Sequence, residues 1–250
     1  VSGDAPLVIL PQTSRTLLDA LAAVFSTPGL PPVVLVGGLA VTVRVSSTGT
    51  AHRATVDVDL VTAYAAPDPE VVELLAAAHQ SAQRPLRVAG IAVDVIPTSP
   101  LDPRDLEGIG DSDRLFVAGH RWAFEEAEAI QLSTLGGEPL TILVATPAGL
   151  VAAKSHAVGH PTASRRATKH GGDLLDVFRL VDIYDADGSL GAALHSGPDQ
   201  LARLVADVVE RAFLVNPAAA ANTMATASPT PIDRARVADV MQQFVEELRT

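Results

Sequence analysis

Val33-Val34-Leu35-Val36-Gly37-Gly38-Leu39-Ala40-Val41, followed after a polar loop by His52-Arg53-Ala54-Thr55-Val56-Asp57-Val58-Asp59-Leu60, is the stretch on which the fold of this chain turns. Val33 to Val36 is a continuous apolar, mostly β-branched run, as a strand buried on both faces requires. Gly37-Gly38 then turns that strand into a short helix reaching about Val45. Ser46 to Thr50 is the polar loop. Ala54 to Thr62 alternates, so that Thr55, Asp57 and Asp59 share one strand face while Val56, Val58 and Leu60 share the other.

Outward from this centre the elements alternate in kind. Leu17, Leu18, Leu21 and Val24 have helical spacing behind a Thr/Ser start, which predicts a first amphipathic helix over Thr13 to Phe25, ended by Pro28 to Pro32. A helix is expected from Pro69 to Gln80. Leu86 to Ile96 reads as one or two strands with a turn at Ala89-Gly90 and with Asp94 near the end. Pro97 to Asp105, rich in Pro and Asp, reads as a linker. Leu115 to Val117 patterns as β, Trp122 to Leu132 is less regular, and Leu140 to Ala145 is a further strand.

Beyond that point the chain reads as helical. Pro147 suits the first turn of a helix over Ala148 to Ala157. Asp173 to Tyr184, Asp199 to Phe213 and Ile232 to Leu248 have helical spacing, and Pro217 to Pro231 reads as a loop. The fold class expected is α/β (α+β): a mixed sheet flanked by helices, with a mainly helical C-terminal region. The division expected is a catalytic core over residues 1–145 and a helical region over 146–250.

Composition narrows the chemistry. The 250 residues are 48% hydrophobic, enough to bury a full core. There is no cysteine, so thiolate metal sites are excluded, and a metal would be held by oxygen or imidazole nitrogen. No uncharged stretch reaches the roughly 20 residues needed to span a bilayer, and Val1 to Leu10 lacks a basic leader, so a cytoplasmic protein with no membrane partner is expected. The net charge of −11 argues against a general polyanion binder. Lysine occurs only at Lys154 and Lys169 among the 18 basic residues.

The Gly37-Gly38 turn lets backbone N–H groups and a helix N-terminus approach a triphosphate. Asp57 and Asp59, at i and i+2, point the same way and can hold a divalent metal against it. Asp94, in Ala92-Val93-Asp94-Val95-Ile96, is the natural third carboxylate, as metal ligand or as general base. Each part alone is ordinary: Gly-Gly is most often a plain turn, and a D-x-D on a strand face is most often solvated surface. Their order and spacing together are rarely accidental.

Those residues resemble the DNA polymerase β-type nucleotidyltransferase superfamily, and more narrowly the AbiEii group with its MenT-type toxins. The pattern there runs Gly-Gly-x-Ala and then His-Arg-x-Ser/Thr-x-Asp-x-Asp-Leu, matched here by Gly37, Gly38, Ala40, His52, Arg53, Thr55, Asp57, Asp59 and Leu60. A distal motif is matched by Lys154, the basic cluster Arg165, Arg166, Lys169 and His170, and Asp173-Leu-Leu-Asp176-Val-Phe-Arg179-Leu180.

The resemblance implies a nucleotidyltransferase-like sheet and transfer of a nucleoside monophosphate from an NTP. Mg2+ or Mn2+ would sit on Asp57 and Asp59, with Asp94 beside them. Lys154 would contact the nucleotide phosphates, and Asp176 would hold Lys154 or a basic neighbour. Gly37, Gly38, Arg53 and Thr55 would complete the nucleotide site. It further implies a tRNA 3′ end as acceptor and a cognate antitoxin as partner. A protein or small-molecule hydroxyl is the alternative acceptor, and a catalytically weak nucleotide sensor is the alternative class.

The remaining expectations are structural. Asp173, Asp176 and Arg179 are placed on one helical face, with Asp173 read as an ordinary intrahelical charge partner. His79, His120, His156, His160 and His195 are expected not to be ligands, and Trp122 is expected in the core or an interface.

Overall fold

A computed structural model describes residues 5–49, 53–63, 71–80, 85–99, 108–159, 167–198 and 200–250. Seven strands form one mixed sheet: β1 (Leu7–Leu10), β2 (Val33–Val36), β3 (Asp57–Thr62), β4 (Leu86–Val88), β5 (Ile91–Pro97), β6 (Glu128–Thr134) and β7 (Leu140–Val144). Their order is β1-β6-β7-β2-β3-β5-β4, with β1/β6, β7/β2 and β3/β5 parallel and β6/β7, β2/β3 and β4/β5 antiparallel. Ten α-helices are described: α1 (Arg15–Phe25), α2 (Gly37–Ser46), α3 (Val71–Ala78), α4 (Asp111–Glu125), α5 (Pro147–Gly159), α6 (Ala167–Tyr184), α7 (Ser189–Ser196), α8 (Leu201–Val209), α9 (Pro217–Ala225) and α10 (Arg234–Leu248). The chain is thus a mixed α/β fold whose C-terminal part is mainly helical.

β2 lies centrally, between β7 and β3, and all four of its side chains are buried, which is why its sequence is apolar without alternation. α2 follows immediately and is itself buried from Gly38 to Val45. A helix apolar on every side must be covered on every side. The sheet covers one flank of α2, and α5 and α6 pack against it elsewhere. Arg44, the charged exception, is satisfied at the sheet end. Its guanidinium donates to the carbonyls of Ala145 (2.9 Å) and Val144 (3.0 Å) and to Glu128 Oε2 (2.8 Å).

One contiguous apolar core runs from Val8 and Leu10 on β1 through the sheet to Phe244 and Leu248 on α10. Among the described residues the last strand ends at Val144 and helices follow, while the core crosses that point through Ala145, Ala148 and Leu150. Among the described residues no helix is long and apolar enough to cross a membrane.

Four sequence readings need correction. Leu115 to Val117 is not β: it lies inside α4, whose first turn carries Asp111 and Asp113 at the positive end of the helix dipole. Pro217 to Pro231 is not all loop. Asn216 caps α9, its side chain accepting from Ala219 N at 3.1 Å, and Pro217 occupies the first turn. The N-terminal stretch supplies an edge strand, β1, that the sequence reading omits. The helix read from Asp173 starts earlier, at Ala167, and so takes in Lys169 and His170. The segment read as a linker lies mostly outside the described residues.

Candidate functional site

Gly37 is where β2 becomes α2, and its φ of +68° is a left-handed conformation that glycine adopts without cost. A Cβ there would come within 1.8 Å of Asp59 Oδ2, so the backbone of the turn and the Asp59 carboxylate share one space. Antiparallel pairing sets Asp59 opposite Val36, directly before the turn. A Cβ on Gly38 would meet Arg53 Nη2 at 2.8 Å and Thr55 Oγ1 at 3.1 Å. The two glycines therefore bring backbone against the acid strand and against the segment leading into it.

Asp57 and Asp59 alternate with the buried Val58 and Leu60, as the spacing of 2 requires. The parallel register of β3 and β5 pairs Asp59 with Asp94, placing the third carboxylate on the adjacent strand. Thr55 Oγ1 donates to Asp57 Oδ1 at 3.0 Å. The Asp59 carboxyl is pushed up to about 6, first by burial and then by the negative charges of Asp57 and Asp94, against the opposing pull of Lys154 and Lys169.

Behind this acid face stands a second, tighter cluster. Arg53 binds Asp176 with both oxygens engaged, Nε to Oδ1 at 2.8 Å and Nη2 to Oδ2 at 2.7 Å. Lys154, on α5, reaches Asp176 Oδ2 at 2.8 Å and Asp173 Oδ1 at 2.9 Å, both on α6. The Asp176 side chain is fully buried and that of Lys154 is 11% exposed. Burial alone would lower both cations, but the carboxylates outweigh it: Asp176 holds Arg53 above its ordinary value, and Asp176 with Asp173 does the same for Lys154. Gly172 makes room for the arrangement, since a Cβ there would lie 3.1 Å from Arg53 Nε.

Asp176 thus holds both Lys154 and a basic neighbour, Arg53. Asp173 is not merely an intrahelical charge partner, because it reaches across to α5. Asp176 follows it by three residues and so lies about 60° away around the helix, whereas Arg179, six residues on, lies about 120° away. Arg179 donates instead to Thr230 Oγ1 at 3.1 Å. The role of Asp173 was missed in the sequence although its signal was present, in the spacing of two aspartates by three directly after Gly171-Gly172.

His52, Arg165 and Arg166 lie outside the described residues, as does His160. Lys169 is exposed on α6. His79, His120, His156 and His195 are engaged elsewhere. His120 is buried with Nδ1 2.9 Å from the Phe116 carbonyl, and burial holds its ring below the usual value. His156 packs edge-on against Phe116, His79 meets Thr27 Oγ1 and His195 the Glu247 carbonyl. Trp122 is in the core, at 6% exposure.

Whether these residues suit a divalent ion can be judged from Asp59. Like charges from Asp57 and Asp94 raise its proton affinity, and a cation placed between them would relieve that repulsion. Among the described residues there is no group of three or more carboxylate or imidazole side chains placed to hold a metal ion. Magnesium does not require one, since it keeps several waters and shares its sphere with substrate phosphates. The oxygen-only donor set fits Mg2+ or Mn2+.

No model of a known protein family matches the chain, and a search of curated proteins finds no relative.

Proposed function

We propose that this protein is a magnesium-dependent nucleotidyltransferase that moves a nucleoside monophosphate from an NTP to an acceptor hydroxyl. The observation that carries the reading is the placement of Asp57 and Asp59 on β3, with Asp94 in register on the adjacent strand, against the Gly37-Gly38 turn at the start of α2. Behind them, Arg53 and Lys154 are locked by Asp173 and Asp176.

In the reaction the acceptor oxygen bonds to the α-phosphorus, the bond from that phosphorus to the bridging oxygen breaks, and pyrophosphate leaves with the electron pair. Asp57 and Asp59, with Asp94, would hold Mg2+ or Mn2+, which supplies charge neutralisation on the phosphates. Asp94 is exposed on β5 and in register with Asp59, placed to accept the hydroxyl proton or to serve as an additional ligand. Gly37 leaves the space that the Asp59 carboxylate occupies, Gly38 that of Arg53 and Thr55, and the turn would bring backbone N–H groups to the nucleotide phosphates. Thr55 orients Asp57.

The resemblance to the AbiEii and MenT-type group points to the 3′ end of tRNA as acceptor, to a cytoplasmic setting and to a toxin–antitoxin pair with an antitoxin partner. The net charge of −11 favours a second acceptor reading, a protein or small-molecule hydroxyl, because the field of the whole molecule repels a phosphate backbone. Incubation with each α-labelled NTP, magnesium and total tRNA, resolved on a gel, tests both. Labelled tRNA that vanishes with Asp57→Ala supports the first acceptor. Label on protein, or on an added aminoglycoside, supports the second. Tight NTP binding with no labelled product of any kind sinks the transferase and leaves a nucleotide sensor.

A further inference from the structure

Arg53, Lys154, Asp173 and Asp176 are two cations and two anions, so the cluster they form is neutral as a whole. The acid face beside it adds the carboxyls of Asp57, Asp59 and Asp94. A polyphosphate substrate brings several more negative charges and needs positive charge that is not already compensated. Lys154 is a poor source of it. Its ammonium is held at 2.8 and 2.9 Å by two buried carboxylates, and releasing it would take the Lys154 charge from both, leaving Arg53 on Asp176.

Lys169 is in the opposite condition. It is exposed, it lies on α6 one turn before Asp173, and no ion pair engages it among the described residues. Residues 169, 173 and 176 follow the i, i+4, i+7 stripe of a single helix face, so Lys169 extends the Asp173/Asp176 stripe by one turn. Its charge, like the stronger one of Lys154, acts on the Asp59 carboxyl, in keeping with a place on the stripe that faces the acid strand. A lysine ammonium on a flexible stem is a suitable point charge for a phosphate chain.

We infer that Lys169, and not Lys154, is the cation that meets the substrate polyphosphate, while Lys154 is a positioning residue that joins α5 to α6 behind the acid face. The inference rests on the nucleotidyltransferase reading and assigns the cations within it.

The chain's two lysines are Lys154 and Lys169, which makes the test direct. The full chain is titrated calorimetrically with magnesium tripolyphosphate, a probe without a base, beside Lys169→Ala, Lys169→Arg and Lys154→Met. The expected result for Lys169→Ala is a loss of about tenfold or more in affinity with an unchanged melting temperature. Lys169→Arg should retain most of the affinity, and Lys154→Met should lower the melting temperature. Acetylation followed by mass spectrometry gives an independent reading: magnesium tripolyphosphate should protect Lys169. Wild-type affinity in Lys169→Ala, or acetylation of Lys169 at an unchanged rate under saturating probe, overturns the assignment while leaving the nucleotide site intact. Wild type that binds no polyphosphate overturns the site reading and the assignment together.

Discussion

At the scale of the residue, Asp176 bears the heaviest burden. Its side chain is fully buried, and its two oxygens answer Arg53 from the segment before β3 and Lys154 from α5. Asp176→Ala would leave two largely buried cations with only Asp173 between them. Removing one partner of a buried ion pair costs about 3–5 kcal/mol, far more than the intact pair contributes over an apolar replacement. The expected outcome is an unfolding free energy lowered by that amount, read as a lower urea midpoint at unchanged slope, with Asp176→Asn intermediate; midpoints within error of wild type would show that the cluster is solvated. Gly37 acts differently. Gly37→Ala forces a Cβ into the space of Asp59 Oδ2 and demands φ of +68° from a residue that resists it, at about 1–2 kcal/mol. The fold should survive by circular dichroism while nucleotide transfer falls by about a hundredfold or more, since a displaced carboxylate can no longer align the phosphates. Residue chemistry of this local kind was legible in the sequence: Gly37, Asp57 and Asp59 lie in one short stretch. The pairing of Arg53 with Asp176 was not, because 123 positions separate them and no local periodicity encodes which buried carboxylate a distant arginine will find.

At the scale of the element, legibility followed the strength of the local signal. β2 appears with the bounds its apolar run gives, and the hairpin of β4 and β5 turns at Ala89 and Gly90, both with positive φ, as a tight hairpin turn requires. The run Leu115 to Val117 in α4 patterns as β because a short apolar run carries no period; Ala118 and Trp122, one and two turns on from Leu115, bury the same helix flank and disclose it only over the full length. α9 was hidden by its Ala, Thr and Pro content, although Asn216-Pro217 is a helix start in its own right. β1 presents four residues with Leu7 and Ile9 outward, too brief and too exposed on one side to announce a strand. The contact of α4 with α5 is also invisible in sequence, yet it fixes where Lys154 stands. A Cβ on Gly149 would come within 2.9 Å of Ala123 Cα, and one on Gly119 would come within 3.0 Å of the Ala152 carbonyl carbon. Gly149→Val should therefore push the helices apart and destabilise the protein by about 1–3 kcal/mol, read as a lower urea midpoint at unchanged slope. Gly119→Val should act in the same direction. If both variants melt like wild type, the two helices do not pack as closely as described.

At the scale of the whole molecule, the charge of −11 and the carboxylates of the acid face make stability, metal and pH one problem. Asp59 has its carboxyl pushed up to about 6 from an ordinary value of 3.8, chiefly by burial. A folded-state value above the unfolded one means that the native state binds the extra proton. Stability without metal is then greatest at low pH as far as this group is concerned, declines as pH rises from about 4, and has lost the contribution above about 6. This is the reverse of a salt-bridged aspartate. A divalent cation binds the deprotonated carboxylates of the native state and not the dispersed ones of the unfolded chain, so it stabilises in proportion to its occupancy. Magnesium should accordingly raise the melting temperature at about pH 7.5 and have little effect at about pH 5, where protons compete for Asp59. Asp59→Asn removes the titrating group, so its melting temperature without metal should match or exceed that of wild type at about pH 7.5, and its response to magnesium should be small at both pH values. Differential scanning calorimetry of the two proteins, with and without magnesium at each pH, checks all of this. A magnesium shift of equal size at both pH values, or an undiminished shift in Asp59→Asn, would place the ion away from the acid face and remove the metal from Asp59.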